Sequence, residues 1–193
     1  NIVRYYYWPW ITINFKGDKY MSTTAAASSN NIASALIAEM EQEAKVTRTC
    51  LERVPADKFG WKPHEKSMEF GKLAVHIAEM FSWTPATLQH AELDFATMDY
   101  KPLEPATTAE LVEYLDKTVA EAIDVLRNTS DEQFLETWTL RNGEAVYFTL
   151  PKVAVMRSFV MNHIIHHRGQ LSVYLRLNDI AVPSIYGPSA DEG

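Results

Sequence analysis

The sequence predicts an all-α protein, a four-helix bundle with a small β-hairpin between the third and fourth helices. Four long segments place apolar residues at the spacing of an amphipathic helix, and one short segment between them is rich in strand-forming residues around an Asn-Gly pair. The chain has 193 residues, of which 47% are hydrophobic and 22% charged. These values are typical of one soluble globular domain.

The first twenty residues, NIVRYYYWPWITINFKGDKY, differ in composition from the rest because they are dense in aromatics. Their apolar part is too short to span a membrane, and it lacks the order of regions found in a signal peptide. We interpret residues 1–30 as an N-terminal segment that either is non-native up to Met21, the natural start, or forms an arm that packs on the domain or on a partner subunit. Residues 31–193 then form the bundle domain.

The first two helices are bounded by recognisable caps and prolines. The first runs from Ile32 to Val54, with Asn30 or Asn31 as its N-cap. The second runs from Met68 to about Trp83 after a cap at Ser67, and Pro85 kinks or restarts it.

The third and fourth helices flank the predicted hairpin. Thr107 or Thr108 caps the third helix, and Thr107 has capping-box spacing to Glu110. The hairpin segment TWTLRNGEAVYFTL turns at Asn142-Gly143, a pair that supplies the positive φ angles of a tight turn. The fourth helix begins in the turn that contains Pro151 and ends near Leu177.

Charge and cysteine content exclude several classes of function. The formal net charge is −7, so the chain lacks the excess of basic residues that nucleic-acid binding requires. We therefore expect no nucleic-acid partner. We also expect no membrane partner. The single cysteine, Cys50, excludes an internal disulfide and indicates a reducing compartment, so we expect a cytoplasmic protein.

Three histidines form the strongest candidate for chemistry. His163 and His167 are four residues apart, so they leave the fourth helix about 40° apart, one turn from each other. His76 lies on the inward stripe of the second helix. One histidine from one helix and a pair from another can form a three-nitrogen metal site with open positions, as catalytic sites require. The alternative is a set of core histidines that bond to backbone or carboxylate groups.

Residues near these histidines are candidates for supporting roles. Gln170 is nearly in line with His163 and can bond a ligand imidazole or metal-bound water, or act as a buried amide that satisfies backbone. Glu69, two turns before His76, is a candidate acceptor or base, or a solvated glutamate at the helix start. Arg168 points away from the ligand pair, which we place on the core-facing stripe, and is expected to pair with a carboxylate or a neighbouring subunit. Gly169 is expected to allow a close helix approach. No general base is identifiable.

Three motifs together resemble the DinB-like (YfiT-like) family of metal-binding four-helix bundles: LAVHIAEM, NHIIHHRGQL and the closing VPSIYGPSAD. The resemblance covers roughly residues 31–190. It implies that the metal ligands are His76, His163 and His167, that the ion is divalent, most often nickel or zinc, and that the chain forms a homodimer.

The resemblance also implies a function. Family members include thiol-dependent transferases that use bacillithiol or mycothiol, and a mycothiol-dependent maleylpyruvate isomerase. The leading hypothesis is therefore a metal-dependent transferase that joins a low-molecular-weight thiol cosubstrate to a small electrophile. The alternatives are a metal-dependent hydrolase, a non-catalytic metal-binding stress-response module and a metal-free bundle.

Overall fold

The structure, a computed structural model, describes residues 32–192, which are mostly helical and include a small three-stranded sheet. The predicted N-terminal segment, residues 1–30, lies outside the described residues. The α-helices are α1 (Ile32–Leu51), α2 (Phe70–Glu79), α3 (Trp83–Leu88), α4 (Thr108–Arg127), α5 (Asp131–Leu135), α6 (Lys152–Val155) and α7 (Asn162–Leu177). The strands are β1 (Glu92–Asp94), β2 (Thr137–Asn142) and β3 (Ala145–Pro151).

Helix α1 is capped by a distant residue. The Ile32 backbone N–H donates to the Asp131 carboxylate at the start of α5, at 3.0 Å. This bond satisfies one of the N–H groups that a helix start leaves unpaired. The predicted caps, Asn30 and Asn31, lie outside the described residues. The helix ends at Leu51, three residues before the predicted end.

The second predicted helix is divided in two. α2 ends at Glu79, a 3₁₀ turn spans Met80–Ser82, and α3 restarts the helix at Trp83. Pro85 lies in the first turn of α3, where its missing N–H removes no helical hydrogen bond. The predicted restart is thus present, but it precedes the proline.

Helix α4 has the predicted N-cap. The Thr107 side chain accepts a hydrogen bond from the Glu110 backbone N–H at 3.2 Å. The Glu110 carboxylate accepts from the Ala106 N–H rather than from the cap itself, at 2.8 Å. Thr108, the alternative cap, instead donates its hydroxyl to the Val54 carbonyl at 2.7 Å, which ties the start of α4 to the segment after α1.

The sheet contains the predicted hairpin and a strand that the sequence analysis missed. β2 pairs with β3 antiparallel, while β1 pairs with β2 in parallel. The turn lies one residue later than predicted: Asn142 pairs with Ala145, and only Gly143 of the Asn-Gly pair has a positive φ, +59°. The Gly143 N–H donates to the Asp94 carboxylate at 2.8 Å, which fixes β1 to the hairpin turn.

The fourth predicted helix is continuous in space but irregular in its bonding. α6 is followed by a π-helical segment, Met156–Met161, and then by α7. The wider π turn shifts the residues that follow it around the helix axis, so the faces extrapolated from ideal α geometry do not hold across it.

The long helices enclose one main hydrophobic core. α4 packs against both α1 and α2, and α7 packs against α2 and α1. Four unbroken helices are therefore not observed, although the four long segments pack together as the helical prediction requires. The contact between α2 and α7 brings His76 next to the histidines of the last helix.

Candidate metal centre

The three predicted histidines converge at the contact between α2 and α7. His76 lies in the last turn of α2, while His163 and His167 lie in the first two turns of α7. One ligand nitrogen from each ring can be chosen so that all three lie within 4.8 Å of one another. The centroid of the His76 ring lies 5.2 Å from that of the His163 ring and 4.8 Å from that of the His167 ring.

Two of the three rings are oriented by hydrogen bonds. The Nδ1 atom of His167 lies 2.7 Å from the Gln170 side-chain oxygen, so the imidazole donates from Nδ1 and leaves Nε2 free. His163 makes a hydrogen bond with the Phe159 backbone. The Nδ1 atom of His76 faces the Glu79 carboxylate at 4.0 Å.

The surroundings keep two imidazoles neutral. Burial, followed by the neighbouring imidazoles of His167 and His76, lowers the pKa of His163 to about 4. Burial also lowers the pKa of His167, although the bond to Gln170 opposes the change. Because a metal binds the deprotonated ring, this environment reduces proton competition at neutral pH.

The donor set fits a borderline divalent cation. Three imidazoles suit zinc, nickel, copper or iron, and they leave at least one coordination position open. In a tetrahedral zinc site with Zn–N bonds of about 2.0–2.1 Å, the nitrogens lie roughly 3.4 Å apart. The rings are half-buried rather than tightly enclosed, so small side-chain rotations can close the remaining difference.

A cavity of about 440 Å³ opens beside His76. Its described lining residues are His76, Glu79, Trp83, Phe95, Met98 and Tyr100. A second cavity, of about 290 Å³, shares three of these residues, His76, Glu79 and Tyr100. The Tyr100 hydroxyl donates to the Glu79 carboxylate at 2.7 Å.

The two predicted supporting residues have different positions. Gln170 contacts a candidate ligand, His167, as one of its two interpretations expected, but it is exposed and so is not a buried amide. Glu69 stands at the start of α2, seven residues before His76, and forms an ion pair with Lys72 at 2.9 Å. This is the position of a solvated glutamate at a helix start, the alternative interpretation of this residue.

Glu79 and Tyr100 were not among the predicted site residues. Glu79 follows His76 by three residues, a spacing that places both side chains on the same face of α2. This spacing is visible in LAVHIAEM and could have identified Glu79. Tyr100 lies in a long connection, and no sequence pattern indicates its contact with α2.

The expected core stripe of the last helix is correct at Met156, Val160 and Tyr174, which are buried, but wrong at the two histidines. The fully buried residues of α7 are Ile164, Arg168, Leu171 and Leu175, whereas His163 and His167 lie beside them and are half-buried. Arg168 is 1% exposed and pairs with the Glu43 carboxylate at 2.5 Å. Its carboxylate partner was expected, but its place in the core was not.

The fold and the histidines together define the class: a mostly helical protein in which three imidazoles, from two helices, are placed where they could hold a metal ion. The DinB family model matches residues 21–193. The chain therefore belongs to the DinB family, and the resemblance identified from the motifs is confirmed.

Similar proteins come from bacilli. The chain is 26% identical to Bacillus subtilis protein YjoA over 131 residues, which are 68% of this chain and 80% of YjoA. The crystal structure of the DinB-like protein YjoA superimposes with a TM-score of 0.60 at 19% identity, covering 80% of this chain and 99% of YjoA. A DinB-like protein from Bacillus cereus gives a TM-score of 0.59 at 18% identity, covering 79% and 97%. These similarities support the shared fold.

Within residues 32–192, no helix combines the length and apolar character that crossing a bilayer demands.

Proposed function

We propose that this DinB family protein binds one divalent ion, nickel or zinc, on His76, His163 and His167. We further propose that it uses the ion to transfer a low-molecular-weight thiol to a small electrophile. The observation that supports the proposal best is the convergence of three imidazoles beside an apolar cavity.

The chemistry of the site suits this reaction. A divalent cation on neutral imidazoles supplies electrostatic stabilisation that lowers the pKa of a bound thiol. In the overall reaction, RSH + R′X → RSR′ + H⁺ + X⁻, a carbon–sulfur bond forms, the bond to the leaving group breaks with its electron pair going to X⁻, and the thiol proton leaves to solvent. Burial lowers the pKa of His163 and of His167 and so keeps these two imidazoles neutral, and Gln170 orients His167.

Two cavities give room for two reactants. The cavities of about 440 Å³ and 290 Å³ share His76, Glu79 and Tyr100, so both border His76, one of the three proposed ligands. A hydrolase would need one organic substrate and water. The paired cavities therefore favour a reaction between two organic molecules.

The test uses tag-free protein loaded with zinc or nickel. Turnover of 1-chloro-2,4-dinitrobenzene and monochlorobimane is measured with cysteine and with bacillithiol as thiols, and wild type is compared with His163→Ala. We expect thiol-dependent turnover that is lost in His163→Ala and retained in His166→Ala, whose side chain is exposed beside the site.

Each other outcome rejects part of the proposal. Equal activity in wild type and His163→Ala would show that the ion takes no part in the reaction. Bound metal without turnover across this panel would favour a non-catalytic metal-binding module, and release of products without thiol would favour a hydrolase. The homodimer and the cytoplasmic location stay predictions.

A further inference from the structure

The larger cavity has an aromatic wall. Trp83 and Phe95 meet at a centroid distance of 6.1 Å, and Trp83 also contacts Phe159 at 5.0 Å. Phe159 in turn contacts the His163 ring at 5.6 Å. A continuous series of rings thus links the cavity to the candidate metal centre, and such rings favour stacking or edge contacts with another flat ring.

Several apolar side chains of this cavity remain in contact with solvent. Phe95 and Met98 are each 40% exposed, and Tyr100 is 48% exposed. A cluster of exposed apolar groups on a concave surface is typical of a ligand site, because a ligand that covers them removes apolar area from water. The volume of about 440 Å³ is in the range of small-molecule pockets.

In the metal-free protein, Glu79 gives the larger cavity a negative charge. Glu79 has a side chain that is only 13% exposed, and its carboxylate accepts a bond from Tyr100. No lysine or arginine is among the lining residues in the part of the chain that the structure describes. A ligand with its own carboxylate would meet a poorly solvated like charge, which is unfavourable at short distance.

From these contacts we propose that the larger cavity binds a flat, uncharged aromatic molecule, and that in the metal-free protein Glu79 disfavours carboxylate-bearing analogues. The inference rests on the proposed function only where it identifies this ligand as the electrophile of the thiol transfer. Phe95 and Trp83 provide the binding surface, and Glu79 determines the charge specificity.

The test measures binding of two unreactive probes that differ by one carboxylate, 1,3-dinitrobenzene and 3,5-dinitrobenzoate. Dissociation constants are obtained by calorimetry for zinc-loaded and metal-stripped protein. We expect 1,3-dinitrobenzene to bind both forms. In the metal-stripped form, where no cation offsets Glu79, 3,5-dinitrobenzoate should bind roughly tenfold more weakly.

Three variants test whether 1,3-dinitrobenzene binds in the larger cavity and whether Glu79 discriminates against the carboxylate of 3,5-dinitrobenzoate. Phe95→Ala should weaken 1,3-dinitrobenzene binding roughly three- to tenfold. The control Leu135→Ala should leave it unchanged, because the exposed Leu135 side chain lines neither of the two cavities beside His76. Glu79→Gln should strengthen 3,5-dinitrobenzoate binding to metal-stripped protein roughly tenfold and change 1,3-dinitrobenzene binding less than twofold.

The inference and the proposed function can fail separately. Binding of 1,3-dinitrobenzene that depends on Phe95, without any thiol-dependent turnover, would support the aromatic site and reject the transferase. The aromatic site is rejected if 1,3-dinitrobenzene does not bind or if Phe95→Ala binds as tightly as wild type. The role of Glu79 is rejected if 3,5-dinitrobenzoate binds metal-stripped wild type as tightly as 1,3-dinitrobenzene does.

Discussion

At the scale of single residues, the hydrogen bond between His167 and Gln170 is the feature that a metal-binding histidine needs and a chance pair of histidines would lack. A partner on the second ring nitrogen fixes the orientation of a metal-binding imidazole, and loss of such a partner costs about 10- to 100-fold in metal affinity. Gln170→Ala should therefore weaken zinc binding by at least roughly tenfold. Competition with a chromophoric chelator measures the change, and His90→Ala, an exposed histidine variant, should match wild type.

The lowered pKa of His163 has a consequence for the metal-free protein. A histidine in the unfolded chain has a pKa of about 6.5. In the folded protein, burial lowers the pKa of His163 to about 4. Between these two pKa values the unfolded chain binds more protons than the folded chain. The free energy of unfolding therefore rises as pH increases from about 4 to 6.5, and this contribution of His163 is lost again as pH falls.

This pH dependence is measured by urea unfolding of EDTA-treated protein from pH 4.5 to 7.0. His163→Gln should flatten the pH dependence but not abolish it, because His167 is shifted in the same direction. His90→Gln should leave it unchanged, since this histidine is exposed. An unaltered slope in His163→Gln would show that His163 does not titrate as described.

The buried Arg168 provides a second prediction at this scale. Its guanidinium bonds the Glu43 carboxylate and donates to the Tyr186 hydroxyl at 2.6 Å, and that hydroxyl donates to Glu43 at 2.8 Å. Arg168→Met leaves a carboxylate buried without its partner, which should cost about 3–5 kcal/mol of unfolding free energy.

The matched control for Arg168→Met is the same substitution in an exposed ion pair. Arg127 and Glu41 form such a pair, with their charged atoms 3.8 Å apart. Arg127→Met should change the unfolding free energy by less than about 1 kcal/mol. Both values come from urea denaturation at pH 7. Equal effects of the two substitutions would contradict the structural role of the buried pair.

At the scale of elements, two glycines within helices should respond oppositely to alanine. A Cβ on Gly71 would lie 2.8 Å from the Phe59 Cβ and 3.2 Å from its backbone Cα, whereas a Cβ on Gly169 would meet nothing within 4 Å. The close helix approach expected at Gly169 is therefore wrong, and Gly71 is the position that requires it.

We expect Gly169→Ala to stabilise the protein by up to about 1 kcal/mol, because alanine favours a helix interior. Gly71→Ala should destabilise it by about 1–3 kcal/mol through overpacking against Phe59. Thermal unfolding compares the two variants with wild type. Destabilisation by Gly169→Ala would contradict the open space around that position.

The elements also show what periodicity can and cannot predict. Apolar spacing located every long helix, because each buries a regular face, whereas the Asn-Gly pair between strand-forming residues located the hairpin, whose strand β3 is mostly exposed. It did not locate the π segment Met156–Met161, since a change from i+4 to i+5 bonding depends on tertiary packing. β1 was missed because three residues are too few for a pattern, and its position depends on side-chain bonds such as that from Arg141 to Glu92 at 2.6 Å.

At the scale of the whole molecule, the candidate site exists because α2 packs against α7. The sequence was sufficient to select His76, His163 and His167, since an i, i+4 pair and an inward histidine are local signals. The partners Glu79 and Tyr100 depend on how a long connection folds over α2, which has no local signal. The Arg168–Glu43 pair, 125 residues apart, could likewise not be assigned before the helices were packed.

The central claim is that three imidazoles from two helices hold one ion. The most direct measurement is the zinc stoichiometry of tag-free protein by elemental analysis after dialysis against trace zinc, with His76→Ala and His163→Ala beside wild type. We predict one equivalent per chain in wild type and a large loss in each variant. Retention of the full equivalent by both variants, or no bound ion in wild type, would contradict the claim.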